Sequence, residues 1–495
     1  MAHYERLSAQ DASFLVFEDA NSSAHMHVGG VSIYDGGGLT APGGGVDIEK
    51  IRAYVASRLH HIPRYRQRLV QTPLEGEPVW VDDDRFNVRY HVRHTRLPRP
   101  GDDRELKRLT ARILSQRLDR SRPLWEYWII EGLQGGRFAA LTKTHHCMID
   151  GVSGVDISSV LMSLEPVDTF DPAPTWAPRP APNQVELARD EIGRRLAVPG
   201  EIAAGVGRLL RQPWLRGADL RANLESVGKT LGVAWRGAAK TPINRPIGPH
   251  RRFDWTHVEL DAAKEIKNAL GGTINDVVLT TVSGAIGDFL RRRRVHVDIL
   301  DFIGAVPVST RNADDHSMGN QVSAWLARLP IAERDPARRY AEVGAITAEL
   351  KRTGGSNAAA YLYQLAEWGG PAALSGVVAL TRRMSPCNLV ITNVPGPPFP
   401  LYVLGARMLE AYPQVTLLEG QGLGVAVFSY CGRLQFGFNA DWDLLPDLHD
   451  LVRDVERNFA ALHAFATGVD DATDSADATT SSAGAISPKG NEHAR

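Results

Sequence analysis

The sequence predicts an α/β protein that is built on mixed sheets and divided into two parts. Two regions, residues 1–170 and residues 250–466, alternate strand-like and helix-like patterns of apolar residues. The chain has 495 residues, which is more than one hydrophobic core usually organises. Apolar side chains make up 43% of the sequence, enough for a packed interior in each region. We therefore expect two subdomains, each with a sheet flanked by helices.

The segments between and after these regions have a different composition. Residues 171–249 are predicted to form a connector, and its first part, residues 171–183, contains five prolines and should be extended. Residues 184–236 show a helical apolar stripe accompanied by arginines. This basic amphipathic segment could pack one face on the protein or rest on an anionic membrane. Residues 467–495 are small and polar, which predicts a disordered tail.

Charge and cysteine content exclude several classes of protein. The 56 basic and 57 acidic residues give a net charge of −1, which offers no electrostatic case for nucleic-acid binding. Three widely spaced cysteines do not form a disulfide framework, so we expect a reducing cytoplasm. The sequence shows no secretory signal and no apolar run of about 18 residues, the minimum for a spanning helix. If this protein meets a membrane, we expect it to lie on the surface.

The most informative stretch is HHCMIDG at residues 145–151. It follows Phe138–Thr144, which has the pattern of a strand, and precedes Val152–Leu164, which has helical spacing. Successive side chains of a strand point to opposite faces, so one histidine should face a cavity and the other packed protein. A neutral imidazole is the natural proton acceptor near neutral pH. Asp150 would orient the imidazole or hold the turn, and Gly151 permits an unusual backbone angle.

The pattern HHxxxDG resembles the signature of the CoA-dependent acyltransferase superfamily, and we treat the match as a hypothesis for the structure to test. The resemblance implies two chloramphenicol-acetyltransferase-like halves that form a pseudo-dimer. The active site would lie at their interface, in a tunnel open at both ends. One end would admit an acyl thioester and the other the acceptor.

Further blocks of sequence narrow the resemblance to the bacterial wax ester synthase/diacylglycerol acyltransferase family. They occur in the family's order from residue 4 to about residue 465, and together they are much more specific than any one alone. The blocks are Leu7–Leu15 with His25–Gly29, Pro123-Leu124-Trp125, Asn275-Asp276, Pro307–Arg311 and Asn393–Pro397.

This resemblance implies an O-acyltransferase that moves a long-chain acyl group from acyl-CoA to diacylglycerol, a fatty alcohol or both. His146 matches the second histidine of the motif and is our candidate general base, with His145 as a structural support. Asp150 would pair with an arginine, for which Arg311 is a candidate. The transfer would be direct, because no G-x-S-x-G nucleophile elbow is present. We expect no metal and no cofactor, with acyl-CoA as a co-substrate.

Several roles stay open at the level of sequence. Asn275 and Asp276 either cap a helix or support the tunnel. Pro123, Leu124 and Trp125 are expected to hold the fold, and Arg291–Arg294 either complement a helix dipole or bind phosphate. The alternatives to an acyl-CoA enzyme are an acyltransferase that uses a carrier protein and a non-catalytic lipid-binding paralogue. The expected location is the cytoplasm, either free or peripheral at the inner membrane face or on lipid droplets.

Overall fold

The computed structural model describes residues 4–39, 41, 45–74, 77–148, 157–196, 237–309, 322–352, 373–384 and 386–468. These residues form two six-stranded mixed sheets with flanking helices and one three-stranded sheet. The prediction of an α/β fold with mixed sheets is therefore confirmed.

Fifteen strands are present in the described part of the chain. They are β1 Glu5–Arg6, β2 His27–Tyr34, β3 Gln67–Val70, β4 Val79–Asp82, β5 Val92–Arg96, β6 Trp125–Glu131, β7 Phe138–His145, β8 Arg251–Glu259, β9 Ile303–Ser309, β10 Val322–Arg328, β11 Leu389–Val394, β12 Tyr402–Val403, β13 Ala406–Gln414, β14 Leu423–Tyr430 and β15 Arg433–Asp441.

The helices flank these sheets. They are α1 Ala9–Ala20, α2 Ile48–Arg58, α3 Val88–His91, α4 Asp103–Leu114, α5 Ile157–Leu161, α6 at residues 184–196, α7 Leu260–Leu270, α8 Ile274–Arg292, α9 Pro336–Arg352, α10 at residues 373–384 and α11 Leu448–Thr467.

The first large sheet has the strand order β12-β13-β2-β7-β6-β5, in which only β5 and β6 run parallel. β2 and β7 approach closely at Gly29, where an added Cβ would lie 1.9 Å from the carbonyl oxygen of Thr142. A residue with a side chain would therefore force these two strands apart. β7, which carries the histidine pair, is a central strand of this sheet.

The second large sheet has the order β10-β9-β11-β14-β15-β8, with β11 parallel to both of its neighbours. Helices α8 and α11 cover this sheet, and their buried residues form one continuous core with it. α8 begins with a capping box, in which Thr273 and Asp276 each bond to the other's backbone N–H.

Two strands of the C-terminal region, β12 and β13, belong to the first sheet. β13 comes late in the chain, next to strands of the second sheet, yet it pairs with β2 of the first sheet over Met408–Gln414. Gly437 of β15 lies directly against it, since an added Cβ there would be 1.8 Å from the carbonyl oxygen of Pro413. The sequence does not predict this crossing, because it depends on pairing between residues far apart in the chain.

The proline-rich segment at residues 171–183 contains no helix or strand and leads into α6. Asn183 caps α6, because its Oδ1 accepts the N–H groups of Val185 and Glu186. Leu187 packs with Val79 and Val81, which fixes one face of α6 on β4. The remainder of the predicted amphipathic segment, residues 197–236, and the predicted tail from residue 469 lie outside the described residues.

No single described helix is long and apolar enough to cross a membrane. One pair of helices, α7 with α8, reaches the required length and composition together, but the two helices meet at a bend of 100°.

Candidate active site

The histidine pair leaves the sheet at the end of β7. The backbone N–H of His145 bonds to the carbonyl of Leu124 at 2.9 Å, and that of His146 bonds to the carbonyl of Met26 at 2.7 Å. His146 already belongs to a short 3₁₀ turn, His146–Met148, so strand alternation does not set the direction of its side chain. Both rings instead meet α1, one at Phe14 and the other at Glu18, one helical turn apart.

The imidazole of His146 is half-buried and stacks on Phe14, with 3.9 Å between the ring centroids and 19° between the planes. Among the described residues, its Nδ1 has no hydrogen-bond partner outside its own residue. Burial lowers the pKa of His146 to about 4, with a smaller contribution from neighbouring His145, while a bond to its own backbone acts in the opposite direction. The ring is therefore neutral at physiological pH and able to accept a proton.

His145 is buried and contacts both the turn that follows it and α1. The backbone N–H of Cys147 donates to its Nδ1 at 3.2 Å, which places the ring proton on Nε2. Nε2 lies 3.7 Å from the carboxylate of Glu18. Burial lowers the pKa of His145, so this ring is also neutral near pH 7. These contacts suit the supporting role that the sequence suggests for His145.

Glu18 is a buried carboxylate that the sequence analysis did not single out. Its Oε2 atom lies 3.1 Å from a guanidinium nitrogen of Arg117 and 2.5 and 3.0 Å from two guanidinium nitrogens of Arg120. Burial tends to raise the pKa of Glu18, but His145 and the two arginines outweigh burial and hold the pKa well below its usual range. Since His145 is neutral, the guanidinium groups keep Glu18 ionised. The sequence did contain one signal for this role, because Glu18 is an acidic residue one turn after Phe14 on the buried face of α1.

Replacing Glu18 by glutamine is expected to lower the free energy of unfolding by about 1–3 kcal/mol, because two guanidinium groups lose their shared buried carboxylate. Urea unfolding at pH 7.5 would measure this change. Asp19→Asn is the matched control: Asp19 binds the same Arg120 at 2.7 Å but is exposed, so it should change stability by less than about 1 kcal/mol. Equal effects of the two substitutions would contradict the assignment.

Two further buried polar residues connect the histidines to α4. His27 lies opposite His145 across β2 and β7, and its Nε2 is 2.9 Å from the carbonyl of Leu114. Lys143 donates to the carbonyls of Ile113, at 3.1 Å, and Gln116. Burial lowers the pKa of Lys143 to about 8, and Glu126 opposes the shift. Together they hold the C-terminal end of α4 against the sheet.

The Pro123-Leu124-Trp125 block holds the end of β7. Besides the bond from His145 to Leu124, the indole N–H of Trp125 donates to the carbonyl of Tyr65 at 2.8 Å. Trp125 is buried and also stacks on His91 with 4.6 Å between centroids. These contacts agree with a role in the fold and indirectly place the histidine pair.

The Asn275-Asp276 block lies at the start of α8. Asp276 is buried, completes the capping box, and accepts the hydroxyl of Thr347 at 2.7 Å. These contacts favour the capping role over tunnel support for Asp276. Asn275 is half-buried beside it.

Of the remaining predicted site residues, Asp150, Gly151 and Arg311 lie outside the described residues, and so does their suggested pairing. In the run Arg291–Arg294, Arg291 binds Asp288, and the next two arginines bind Asp454 and Asp447 respectively. Three of the four arginines therefore pair with carboxylates around α8, which favours a structural role for them over a phosphate site.

Cys147 is buried, and burial raises its pKa well above that of a free thiol. It therefore does not supply a thiolate nucleophile. Within the described part of the chain, no group of histidine, cysteine and carboxylate residues has the arrangement of a metal site.

Two mixed sheets, the first completed by strands from the C-terminal region, and a histidine pair at the end of a central strand define an acyltransferase. Residues 7–278 match the wax ester synthase/diacylglycerol acyltransferase catalytic domain, and residues 318–463 match the WS/DGAT C-terminal domain. The chain belongs to the wax ester synthase/diacylglycerol acyltransferase family.

Individual relatives agree with this assignment. Two Mycobacterium tuberculosis proteins that carry the name diacylglycerol O-acyltransferase are similar over most of the chain. One is 33% identical, and the match covers 90% of this chain and 88% of the relative. The other, tgs1, is 32% identical, and the match covers 92% of this chain and 96% of the relative. The solved wax ester synthase/diacylglycerol acyltransferase from Marinobacter aquaeolei has a TM-score of 0.67 at 25% identity, covering 93% of this chain and 99% of its own.

A more distant structure shares the fold alone. The first condensation domain of the CDA synthetase has a TM-score of 0.55 at 15% identity and covers 94% of this chain and 96% of its own.

Proposed function

We propose that this protein transfers a long-chain acyl group from acyl-CoA to diacylglycerol, to a fatty alcohol or to both, with His146 as general base. The observation that carries the proposal is the neutral, half-buried imidazole of His146, held by its backbone at the end of β7 in a member of this family.

The chemistry follows from the demands of thioester alcoholysis. His146 accepts the proton of the acceptor hydroxyl as its oxygen attacks the thioester carbonyl carbon. The resulting tetrahedral oxyanion collapses, the carbon–sulfur bond breaks, and the proton passes from His146 to the departing thiolate of CoA. The products are an ester and free CoA. No covalent enzyme intermediate, metal or cofactor is required for this sequence, and the two-ended tunnel that would bring the substrates together remains a prediction.

The proposal is tested by incubating the purified full-length protein with radiolabelled palmitoyl-CoA and either diacylglycerol or hexadecanol. Label is expected in triacylglycerol, in wax ester or in both after thin-layer chromatography. Palmitoyl-loaded acyl carrier protein serves as the competing donor. Transfer from the carrier protein in preference to CoA would overturn the choice of donor, and no transfer from either donor would overturn the proposal.

The face of α6 that points away from the protein supports a location at a lipid surface. Leu187 and Glu191 face the protein, whereas Val185, Ile192 and Leu196 are 78%, 50% and 78% exposed. At 100° per residue these three side chains form one stripe opposite the packed face, with exposed Arg189 beside them. Apolar residues flanked by a cation suit an interface with anionic lipid. We propose that the protein acts in the cytoplasm at a membrane or lipid-droplet surface and that α6 contacts it.

The contribution of α6 is tested by flotation with vesicles of phosphatidylcholine and phosphatidylglycerol. The triple variant Val185→Gln, Ile192→Gln and Leu196→Gln is expected to lower the vesicle-bound fraction about tenfold. The reason is that three apolar side chains are no longer transferred from water to the lipid surface. Ile299→Gln is the matched control, since Ile299 is 84% exposed elsewhere on the surface. Unchanged binding of the triple variant would remove α6 from the interface.

A further inference from the structure

A surface pocket lies where α4 meets β8 and the start of α11. Its cavity volume is about 620 Å³. We call it the α4–α11 pocket, and its walls include Arg104, Lys107, Arg108, Arg252, Trp442 and His449. It is separate from the histidine pair and from every motif that the sequence analysis assigned.

The pocket carries an excess of positive charge. Asp254 is the one carboxylate among its lining residues in the described chain, and it is shared by Lys107 and by His449, whose Nδ1 is 3.0 Å away. Arg108 pairs with Glu105 at 3.0 Å. Arg104 and Arg252 have no carboxylate partner among the residues that the structure describes. Two guanidinium groups are thus available to an anionic ligand, and guanidinium forks match phosphate oxygens.

An aromatic ring stands next to these charges. The side chain of Trp442 is 44% exposed, and the guanidinium group of Arg252 lies 3.8 Å from the centre of its ring. The Nε of Arg252 also donates to the carbonyl of Trp442 at 3.0 Å, which fixes the two residues together. An exposed indole beside cations is the combination that binds a base by stacking and its phosphates by charge.

The position of the pocket relates it to the histidines. Arg104, Lys107, Arg108 and Ala111 form one stripe of α4, and the carbonyl of Leu114 at the end of the helix contacts His27. The ten residue steps from Arg104 to Leu114 span about 15 Å of helix. The pocket lining therefore runs along α4 from Arg104 to Ala111, which lies within one helical turn of the residue that contacts β2. A phosphopantetheine arm can bridge the roughly 15 Å from the far end of this lining.

We propose that the α4–α11 pocket binds the nucleotide end of the acyl-CoA donor, the 3′-phosphorylated ADP group. The base stacks on Trp442, and Arg104 and Arg252 bind the phosphates. This assignment rests on the proposed acyl-CoA activity and adds to it the location of the nucleotide.

The experiment compares palmitoyl-CoA with palmitoyl-pantetheine, which has the same thioester but no nucleotide. The double variant Arg104→Ala and Arg252→Ala is expected to raise KM for palmitoyl-CoA about tenfold, as charge-assisted bonds are lost. The kcat and the KM for palmitoyl-pantetheine should not change. Arg112→Ala is the matched control, because Arg112 is exposed on α4 but does not line the pocket. An unchanged KM for palmitoyl-CoA, or equal increases for both donors, would overturn the proposal.

Calorimetric binding of adenosine 3′,5′-bisphosphate separates this proposal from the proposed function. The wild-type protein should bind it, and the double variant should bind it about tenfold more weakly. If neither the wild type nor the double variant transfers acyl groups but their binding differs in this way, the nucleotide pocket is supported and the proposed acyltransferase activity is refuted. Equal binding by wild type and double variant would refute the pocket, whatever the activity.

Discussion

Replacing His146 by alanine is expected to lower kcat for transfer from palmitoyl-CoA by about 10²–10⁴-fold, the usual contribution of a general base. The half-buried ring stacked on Phe14 would leave a space, while the backbone bond from His146 to Met26 does not depend on the side chain. The fold should therefore survive, which circular dichroism would verify. The measurement is the initial rate of ester formation at saturating donor and acceptor.

The matched control for this substitution is His60→Ala, because His60 belongs to the other histidine pair of the chain and is exposed. It should leave kcat unchanged. The pH profile gives a second readout: since the pKa of His146 is about 4, its basic form prevails throughout pH 6–8 and kcat should be level across that range. Equal product formation by wild type and His146→Ala would exclude His146 as the base.

A second large effect is expected on stability in mild acid. Four histidines, His25, His27, His91 and His145, are at most 5% exposed, and burial lowers the pKa of each below the ordinary 6.5. As the pH falls below 6.5, these histidines bind protons in the unfolded chain but stay neutral in the folded one. Stability therefore falls with decreasing pH, by up to about 1.4 kcal/mol per pH unit for each histidine. For His25 and His91 the loss continues until the pH reaches their folded pKa of about 4.

Urea unfolding at pH 7.5, 6.5 and 5.5 would measure this slope, and the denaturation midpoint is expected to drop at each step. His91→Gln removes one titrating group that is not part of the histidine pair and should reduce the slope by up to about 1.4 kcal/mol per pH unit. His60→Gln, at an exposed position, is the matched control for the substitution itself. A midpoint that is the same at pH 7.5 and 5.5 would show that these histidines titrate normally.

Local patterns were sufficient for part of the site. The sequence predicts a strand at Phe138–Thr144, and the structure places β7 there. The residues before Asp276 have the composition of a helix start, and the structure shows a capping box. Both features depend on residues within a few positions of each other, which is why a single sequence contains them.

Other parts depend on contacts between distant segments. Glu18 forms ion pairs with Arg117 and Arg120, which lie about a hundred residues further along the chain. The sequence around Glu18 does not predict these partners. Lys143 reads as an ordinary polar residue of a strand, yet it is buried against the end of α4. The expectation that strand alternation separates the two histidines also misses the change of backbone at His146. Periodicity could not supply these contacts.

The strand β13 also has a consequence for how the protein is made. The edge of β2 receives its partner only when residues up to Gln414 have left the ribosome, long after His145 has completed β7. At usual rates of synthesis this interval is roughly tens of seconds. During that time the nascent first sheet has an open edge that could pair with another chain. The first sheet therefore reaches its final form only after most of the chain has been synthesised.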